Sequence, residues 1–376
     1  MAGLSANVGE IGGGSIVKAF DHRTPAQRVL FGRGGAVDNV ATALDSLSAT
    51  RVFVIADSFA ADLADGIAAR VPVVARIDGV TQHVPVADGH AAVARARDEA
   101  VDAIVSIGGG SATGLAKFVA RDTSIPVIAV PTTFAGSEAT DVWGQTEGDR
   151  KTTGSDPRVL PVAVVYDAML FASLPRSLTS ASGLNAVAHA VDGFWAPRAD
   201  PINVAWGTEG LRALVTGLRA TIADADDLDA RDSMLYGAYL AAVAFASAGS
   251  GLHHKICHVL GGAFSLSHAD THGVVLPYVV DFNAASALDA ARRVSDALGG
   301  APAARGLYDL GRGLEAAKSL RELGMPESGI DLAVERVLPL APPSNPRPVT
   351  GPDLRTLITA AWAGEPVTPH DEEERG

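Results

Sequence analysis

The chain has 376 residues, of which 47% are apolar and 19% charged, enough for one large or two medium domains around a sizeable core. Its net charge of −13 disfavours nucleic acid and anionic membrane surfaces as partners. The single cysteine, Cys257, excludes an intrachain disulfide and a thiolate-rich zinc site. That cysteine usage is typical of a reducing compartment. Together with the lack of a signal-peptide pattern, it predicts a cytoplasmic protein.

Short apolar runs alternate with helical stretches in the first half of the chain. Runs of four or five residues with little polar alternation are typical of strands buried on both faces of a parallel sheet. They are Val52–Ala56, Ala103–Ile107, Val127–Val130 and Val162–Tyr166. This pattern predicts a doubly wound α/β domain.

The domain limits follow from where these patterns begin and end. Residues 1–16 are rich in glycine and predict a flexible arm, and residues 17–177 contain the α/β pattern. Amphipathic helical patterns then predict an all-α domain over residues 178–365, with a disordered acidic tail at 366–376. A cleft between the two domains, at the carboxyl ends of the strands, is the expected ligand site.

A glycine-rich turn follows the second apolar run and leads into a helix. Glycines let the backbone approach a ligand closely, and the helix N-terminus offers unpaired N–H groups to a pyrophosphate. The turn lacks the Gly-Lys-Ser/Thr of a Walker A loop. It predicts a dinucleotide-phosphate site, or else a plain tight turn, formed by Gly109, Gly110, Ser111, Ala112 and Thr113.

Two further strand ends carry polar side chains. Asp57 follows the first run, where a carboxylate either binds a ribose 2′-hydroxyl and repels a 2′-phosphate or caps the next helix. Thr132, Thr133 and Ser137 follow the third run and offer hydrogen bonds to a ribose or nicotinamide, unless they form only a polar loop. If the site binds a nicotinamide dinucleotide, Asp57 favours NADH, with NADPH as the alternative.

Half of the chain's ten histidines lie within 20 residues of its second half. They are His253, His254, His258, His268 and His272, with Lys255 among them. His254 and His258 are four residues apart, as are Asn185 and His189, so each pair shares a helix face. From the residues alone, the cluster predicts a metal site, a proton-transfer site or an anion pocket.

Together these motifs resemble those of the iron-containing alcohol dehydrogenase family, which has a dehydroquinate synthase-like fold. The resemblance covers about residues 18–365 and implies a nicotinamide cofactor in the cleft and a homodimer. Lys151 matches a basic position of the family and is expected near the cofactor or substrate. His258 matches a position near the nicotinamide.

The family's metal positions differ here in one residue. Members that bind iron or zinc use one Asp and three His, and by motif these positions fall on Asn185, His189, His254 and His268. Asn185 is neutral, and an amide oxygen is a weak ligand for either metal. We therefore expect weak metal binding or none.

With Asn185 at this position, the chain resembles the branch of the family that reduces the C=C bond of an unsaturated keto dicarboxylate. For that reduction, we expect His258 or His254 to donate the proton and to stabilise the developing oxyanion. Lys255, His189, His254 and His253 would then form a cationic pocket for a small dicarboxylate.

Asn185, His253 and His268 are expected to contact that substrate. Two alternatives remain open: a metal-dependent alcohol or aldehyde reductase of the same family, and a secondary-metabolism enzyme with non-reductive chemistry on the same scaffold.

Overall fold

The computed structural model describes residues 19–81, 84–147 and 150–368; the side chains of Glu147, Arg150 and Lys151 lie outside the description. The predicted arm at residues 1–16 and most of the predicted tail also lie outside it.

One parallel sheet forms the centre of the first part of the chain. Six strands follow the order β1-β8-β5-β4-β2-β3, and a separate antiparallel hairpin joins β6 to β7. Every residue of β2, β4, β5 and β8 is buried, since these strands are covered on both faces, which explains their unbroken apolar runs. The strands are β1 (Arg28–Phe31), β2 (Val52–Ala56), β3 (Val73–Asp78), β4 (Ala103–Gly108), β5 (Val127–Pro131), β6 (Val142–Glu147), β7 (Arg150–Ser155) and β8 (Ala163–Tyr166).

Helices follow or cover the strands and then form the rest of the described chain. The helices that accompany the sheet are α1 (Ala36–Leu47), α2 (Ala61–Ala68), α3 (Val86–Asp98) and α4 (Gly110–Thr123). The later helices are α5 (Arg176–Gly193), α6 (Pro201–Ala223), α7 (Leu228–Ala248), α8 (Leu252–Phe264), α9 (His268–Ala284), α10 (Leu288–Ala297), α11 (Ala303–Gly313), α12 (Ile330–Val337) and α13 (Gly351–Ala363). The predicted fold class, a parallel-sheet domain followed by helices, is confirmed.

The helical part is built around α5, which is buried from Thr179 to Gly193. Helices α6 and α7 pack closely at one glycine pair, because a Cβ at Gly237 would lie 2.7 Å from the carbonyl oxygen of Gly210. A sharp bend of 96° separates α7 from α8. Among the described residues no single helix has the length and apolar character needed to cross a membrane, and only the bent α7–α8 pair meets that criterion jointly.

The domain limits remain a prediction. The predicted boundary at residue 177 falls within the first turn of α5, which begins at Arg176.

Candidate active site

The carboxyl ends of β2, β4 and β5 lie side by side and bring the predicted cofactor motifs together. The N–H of Gly109 donates to Asp57 Oδ2 over 2.9 Å, and the N–H of Thr132 donates to the Gly108 carbonyl over 3.1 Å. Gly108 has a φ of +149°, and a Cβ there would collide with the Asp57 carboxylate. The turn therefore requires glycine, and three strand ends form one continuous edge.

Asp57 supports this turn and does not cap the next helix. Its side chain makes no capping hydrogen bond to the 3-10 turn that begins at Ser58. Burial raises the pKa of Asp57, although the N–H of Gly109 works in the opposite direction. Contact between Asp57 and a ribose remains a prediction.

The N-terminus of α4 is exposed to solvent. Gly110 is exposed, and a Cβ placed on it would meet no described atom within 4 Å. Ser111 is half-buried, whereas Ala112 and Thr113 are buried beneath the turn. The open helix end and its unpaired N–H groups fit a dinucleotide phosphate.

The segment after β5 extends from this edge to the helical part. Thr132 is buried and its Oγ1 has no partner among the described residues, whereas Thr133 and Ser137 are half-buried. At Gly136, which has a φ of +75°, a Cβ would lie 2.7 Å from Ala242 Cβ and 3.5 Å from His189 Nδ1. The segment therefore lies directly against the first histidine of the helical part.

Four buried histidines from α5, α8 and α9 pack together. The ring of His254 lies 5.2 Å from that of His189 and 4.6 Å from that of His272, between centroids. His253 lies 4.9 Å from His272, and His254 stacks on Phe245 at 4.1 Å. All four histidines were singled out from the sequence, but His272 was given no role and Phe245 was missed.

Asp192, which the sequence analysis missed, organises this cluster. It lies three residues after His189 on α5 and is fully buried. Its Oδ2 accepts hydrogen bonds from His254 Nδ1–H and the N–H of Gly251, both at 2.8 Å, and its Oδ1 accepts from Trp195 Nε1–H at 3.0 Å. Since a carboxylate only accepts, Nδ1 of His254 carries the proton. The spacing of Asp192 from His189 is the one sequence signal that pointed to it.

The buried histidines are neutral at pH 7. Burial lowers the pKa of His189 to about 4 and also lowers the pKa values of His253, His254 and His272. Withdrawal from water therefore disfavours a positive charge on His189, His253 and His254, and the predicted cationic pocket stays a prediction.

Asp192 is the charged group of this cluster. Burial alone would raise the pKa of Asp192, but the hydrogen bonds from His254 and Trp195 help to hold it at about 2. The carboxylate is therefore ionised at pH 7 beside a neutral imidazole.

His258 and His268 form the solvent side of the cluster. Both are exposed, and their rings lie 6.0 Å apart in a stacked arrangement. His272 lies 4.4 Å from His268 and 6.3 Å from His258, and so connects them to the buried rings. Lys255 is half-buried on the same helix as His258.

Two family models match most of the chain. The model described as iron-containing alcohol dehydrogenase matches residues 26–168, and the model of the C-terminal part of that family matches residues 179–362. The chain belongs to the iron-containing alcohol dehydrogenase family. The predicted family is thereby confirmed.

Several family members are similar over nearly their whole length. The maleylacetate reductase of Sphingobium indicum is 44% identical over 90% of this chain and 96% of that protein. A solved iron-containing alcohol dehydrogenase from Corynebacterium glutamicum has a TM-score of 0.90 at 48% identity, covering 93% of this chain and 98% of that one. The maleylacetate reductase structure from Agrobacterium tumefaciens has a TM-score of 0.89 at 35% identity, covering 93% and 100%.

The residues at the family's metal positions do not form a matching donor set. Asn185 is neutral, and its buried Oδ1 has no partner among the described residues. His268 is exposed at the start of α9, and the structure places His272, one turn further, against His254 instead. Among the described residues, the groups of converging His, Cys, Asp and Glu side chains include neither His189 nor His268. They are Asp192–His253–His254 and His253–Cys257–His272.

Lys151 lies in β7, and its side chain lies outside the described residues, so its predicted contact with cofactor or substrate is not tested.

Proposed function

We propose that this chain reduces the C=C bond of maleylacetate to 3-oxoadipate with NADH. The observation that carries the proposal is the 44% identity to a maleylacetate reductase over 96% of that protein. Asn185 supports it, since a neutral amide replaces the anionic ligand that a metal-dependent alcohol dehydrogenase uses. We propose that the reaction needs no metal.

The substrate's chemistry matches a site without a strong Lewis acid. A nicotinamide bound in the cleft would supply a hydride to the alkene carbon β to the ketone, and a proton from a site residue would complete the reduction at the adjacent carbon. Negative charge then develops on the ketone oxygen as an enolate, which is less basic than the alkoxide of an alcohol dehydrogenase. A positioned hydrogen-bond donor is therefore sufficient to stabilise it.

Of the two proposed proton donors, the geometry favours His258. His254 has its Nδ1–H committed to Asp192, and its Nε2 is buried and without a partner among the described residues. A neutral ring in this tautomer accepts a hydrogen bond at Nε2 and offers no proton there. His258 is exposed at the rim of the cluster, where a substrate can reach it.

The substrate's carboxylates require a cation, and the neutral buried rings do not supply one. Lys255, half-buried on α8, is the group we assign to them. His253, His268 and Asn185 are proposed to contact the substrate as neutral or rim groups. We also propose a homodimer in the cytoplasm, with neither nucleic acid nor membrane as a partner.

The test is a comparison of substrates with the purified protein. We expect NADH to be consumed one-to-one with maleylacetate, before and after treatment with a metal chelator. His258→Ala should lower kcat by about 100-fold, the usual contribution of a general acid. His90→Ala removes another exposed histidine, on α3, and should leave kcat unchanged.

Two outcomes would contradict the proposal. Activity with a simple alcohol or aldehyde but not with maleylacetate would assign the chain to the alcohol-dehydrogenase reaction of its family. Activity with maleylacetate that chelation abolishes and zinc or iron restores would overturn the metal-free reaction alone.

A further inference from the structure

The ammonium group of Lys117 is enclosed in the protein at the middle of α4. Lys117 is 1% exposed, and fully buried lysines are rare. Its Nζ donates to the backbone carbonyls of Ser137, Thr140 and Val142 over 2.6, 2.8 and 2.7 Å. Three N–H donors are thus matched to three carbonyls.

These bonds join the two halves of the candidate cofactor site. Helix α4 begins at Gly110, the open end that fits the phosphates. The three carbonyls belong to the segment that follows Gly136, which lies against His189. Lys117 therefore ties the helix that begins at the phosphate end to the segment that reaches the histidine cluster.

A second contact holds the same segment from the sheet. The Tyr166 hydroxyl, on β8, donates to the buried carboxylate of Glu138 over 2.7 Å. The side chain of Gln27 donates to the Glu138 carbonyl over 2.9 Å. With Glu138 fixed from the sheet, a change at Lys117 acts mainly on the position of residues 140–142 and on α4.

The cost of this burial indicates a positional role. Burial lowers the pKa of Lys117 to about 7, so the folded protein bears a desolvation cost that methionine, of similar length, would not have. What lysine adds over methionine at this position is the set of three bonds to the loop.

We propose that Lys117 is a positioning residue for the nicotinamide cofactor, which holds the Ser137–Val142 segment at the spacing from the α4 N-terminus that a bound dinucleotide requires. It acts through the segment and does not touch the cofactor. The inference rests on the cofactor of the proposed function but not on the identity of its substrate.

The test is NADH binding to Lys117→Met, measured by fluorescence titration without substrate. We expect the Kd to rise about tenfold, equivalent to the loss of one well-made charged hydrogen bond. At saturating NADH, kcat should stay within about threefold of the parent, because the bound cofactor restores the segment. A purely structural lysine would lower Tm and leave the Kd of the folded fraction unchanged.

Two further variants keep the test decisive. Lys318→Met changes an exposed lysine of the helical part and should bind NADH like the parent. Thr140→Val removes the Oγ1 that accepts from Lys117 over 3.2 Å, and with it the bonds of that atom to the Ser137 carbonyl and from the Val142 N–H. It tests the attachment of the segment to α4 if Lys117→Met does not fold. Its Kd should rise about two- to fivefold.

The contrary outcomes are distinct. The role of Lys117 alone is overturned if Lys117→Met folds and binds NADH with the parent Kd. If Lys117→Met does not fold, a Thr140→Val variant with the parent Kd overturns it instead. A parent protein that binds neither NADH nor NADPH overturns both this role and the proposed function.

Discussion

His254 donates its Nδ1–H to the fully buried carboxylate of Asp192 over 2.8 Å. This bond fixes the tautomer of the ring and leaves Nε2 as an unprotonated nitrogen among the buried histidines. The pair therefore has the form of a carboxylate–histidine unit whose acceptor nitrogen faces other site groups. It is charged at Asp192 and neutral at His254.

Asp192→Asn should weaken the hydrogen bond that orients the His254 ring. The amide can donate to Nδ1 as well as accept from it, so the tautomer of His254 is no longer fixed. We expect kcat to fall about 10- to 100-fold, as for other partners that orient a site histidine, with little change in the Kd for NADH. Steady-state kinetics with maleylacetate and a separate NADH titration measure the two quantities.

A remote pair provides the control for this variant. Asp200 also accepts from a histidine, His22 Nδ1–H, over 2.8 Å, and it caps α6. Asp200→Asn should lower Tm while the folded enzyme keeps its kcat. If Asp192→Asn also changed only Tm, the orienting role would be wrong.

Asn185→Asp should create a metal site. It restores a carboxylate one helical turn from His189, and anionic oxygen with imidazole is the donor set that zinc and iron favour. We expect zinc affinity at least about tenfold above that of the parent, measured by calorimetric titration. Asn39→Asp, on α1, adds the same charge away from the histidines, and an equal gain there would show that net charge is responsible.

The sheet could be predicted where burial imposes a continuous apolar run. The four central strands were predicted to within one residue at each end because both of their faces are covered. The edge strands β1 and β3 were missed, since most of their side chains are exposed or only partly buried. The β6–β7 hairpin was missed because its polar residues become a strand only through their pairing.

The candidate site, too, could be predicted only in part. Glycines and polar residues at strand ends could be located, because topology alone places parallel strand ends on one edge. The ionisation of the histidines could not be predicted, since it depends on burial by helices distant in sequence. For the same reason the family motif pointed to His268, whereas packing brings His272 against His254.

Asp57→Ser should relax the choice between the two nicotinamide cofactors. Removing the carboxylate removes its repulsion of a 2′-phosphate, while serine keeps a small polar group at the end of β2. The ratio of kcat/KM for NADH over NADPH should fall by at least about tenfold. Asp62→Ser, an exposed aspartate on α2, should leave the ratio unchanged, and an unchanged ratio in Asp57→Ser would place the ribose elsewhere.

Asp102→Asn should destabilise the sheet in a pH-dependent way. Partial burial raises the pKa of Asp102, but the N–H groups of Thr50 and Arg51 and the Thr50 hydroxyl outweigh it and lower the pKa below its ordinary value. A carboxyl whose folded-state pKa is lowered stabilises the fold above its unfolded-state pKa, and that contribution is lost as the pH falls through the folded-state pKa. The variant should therefore be less stable by about 1 kcal/mol at pH 7, a typical net value for weakened hydrogen bonds.

Urea unfolding of the parent and Asp102→Asn at neutral and acidic pH measures this difference. It should be constant down to about pH 4, the ordinary pKa of an aspartate, and shrink below it. Asp98→Asn, at an exposed position on α3, should match the parent throughout. If the loss of stability in Asp102→Asn stayed constant at acidic pH, the charge of Asp102 would not be what stabilises the segments before β2 and β4.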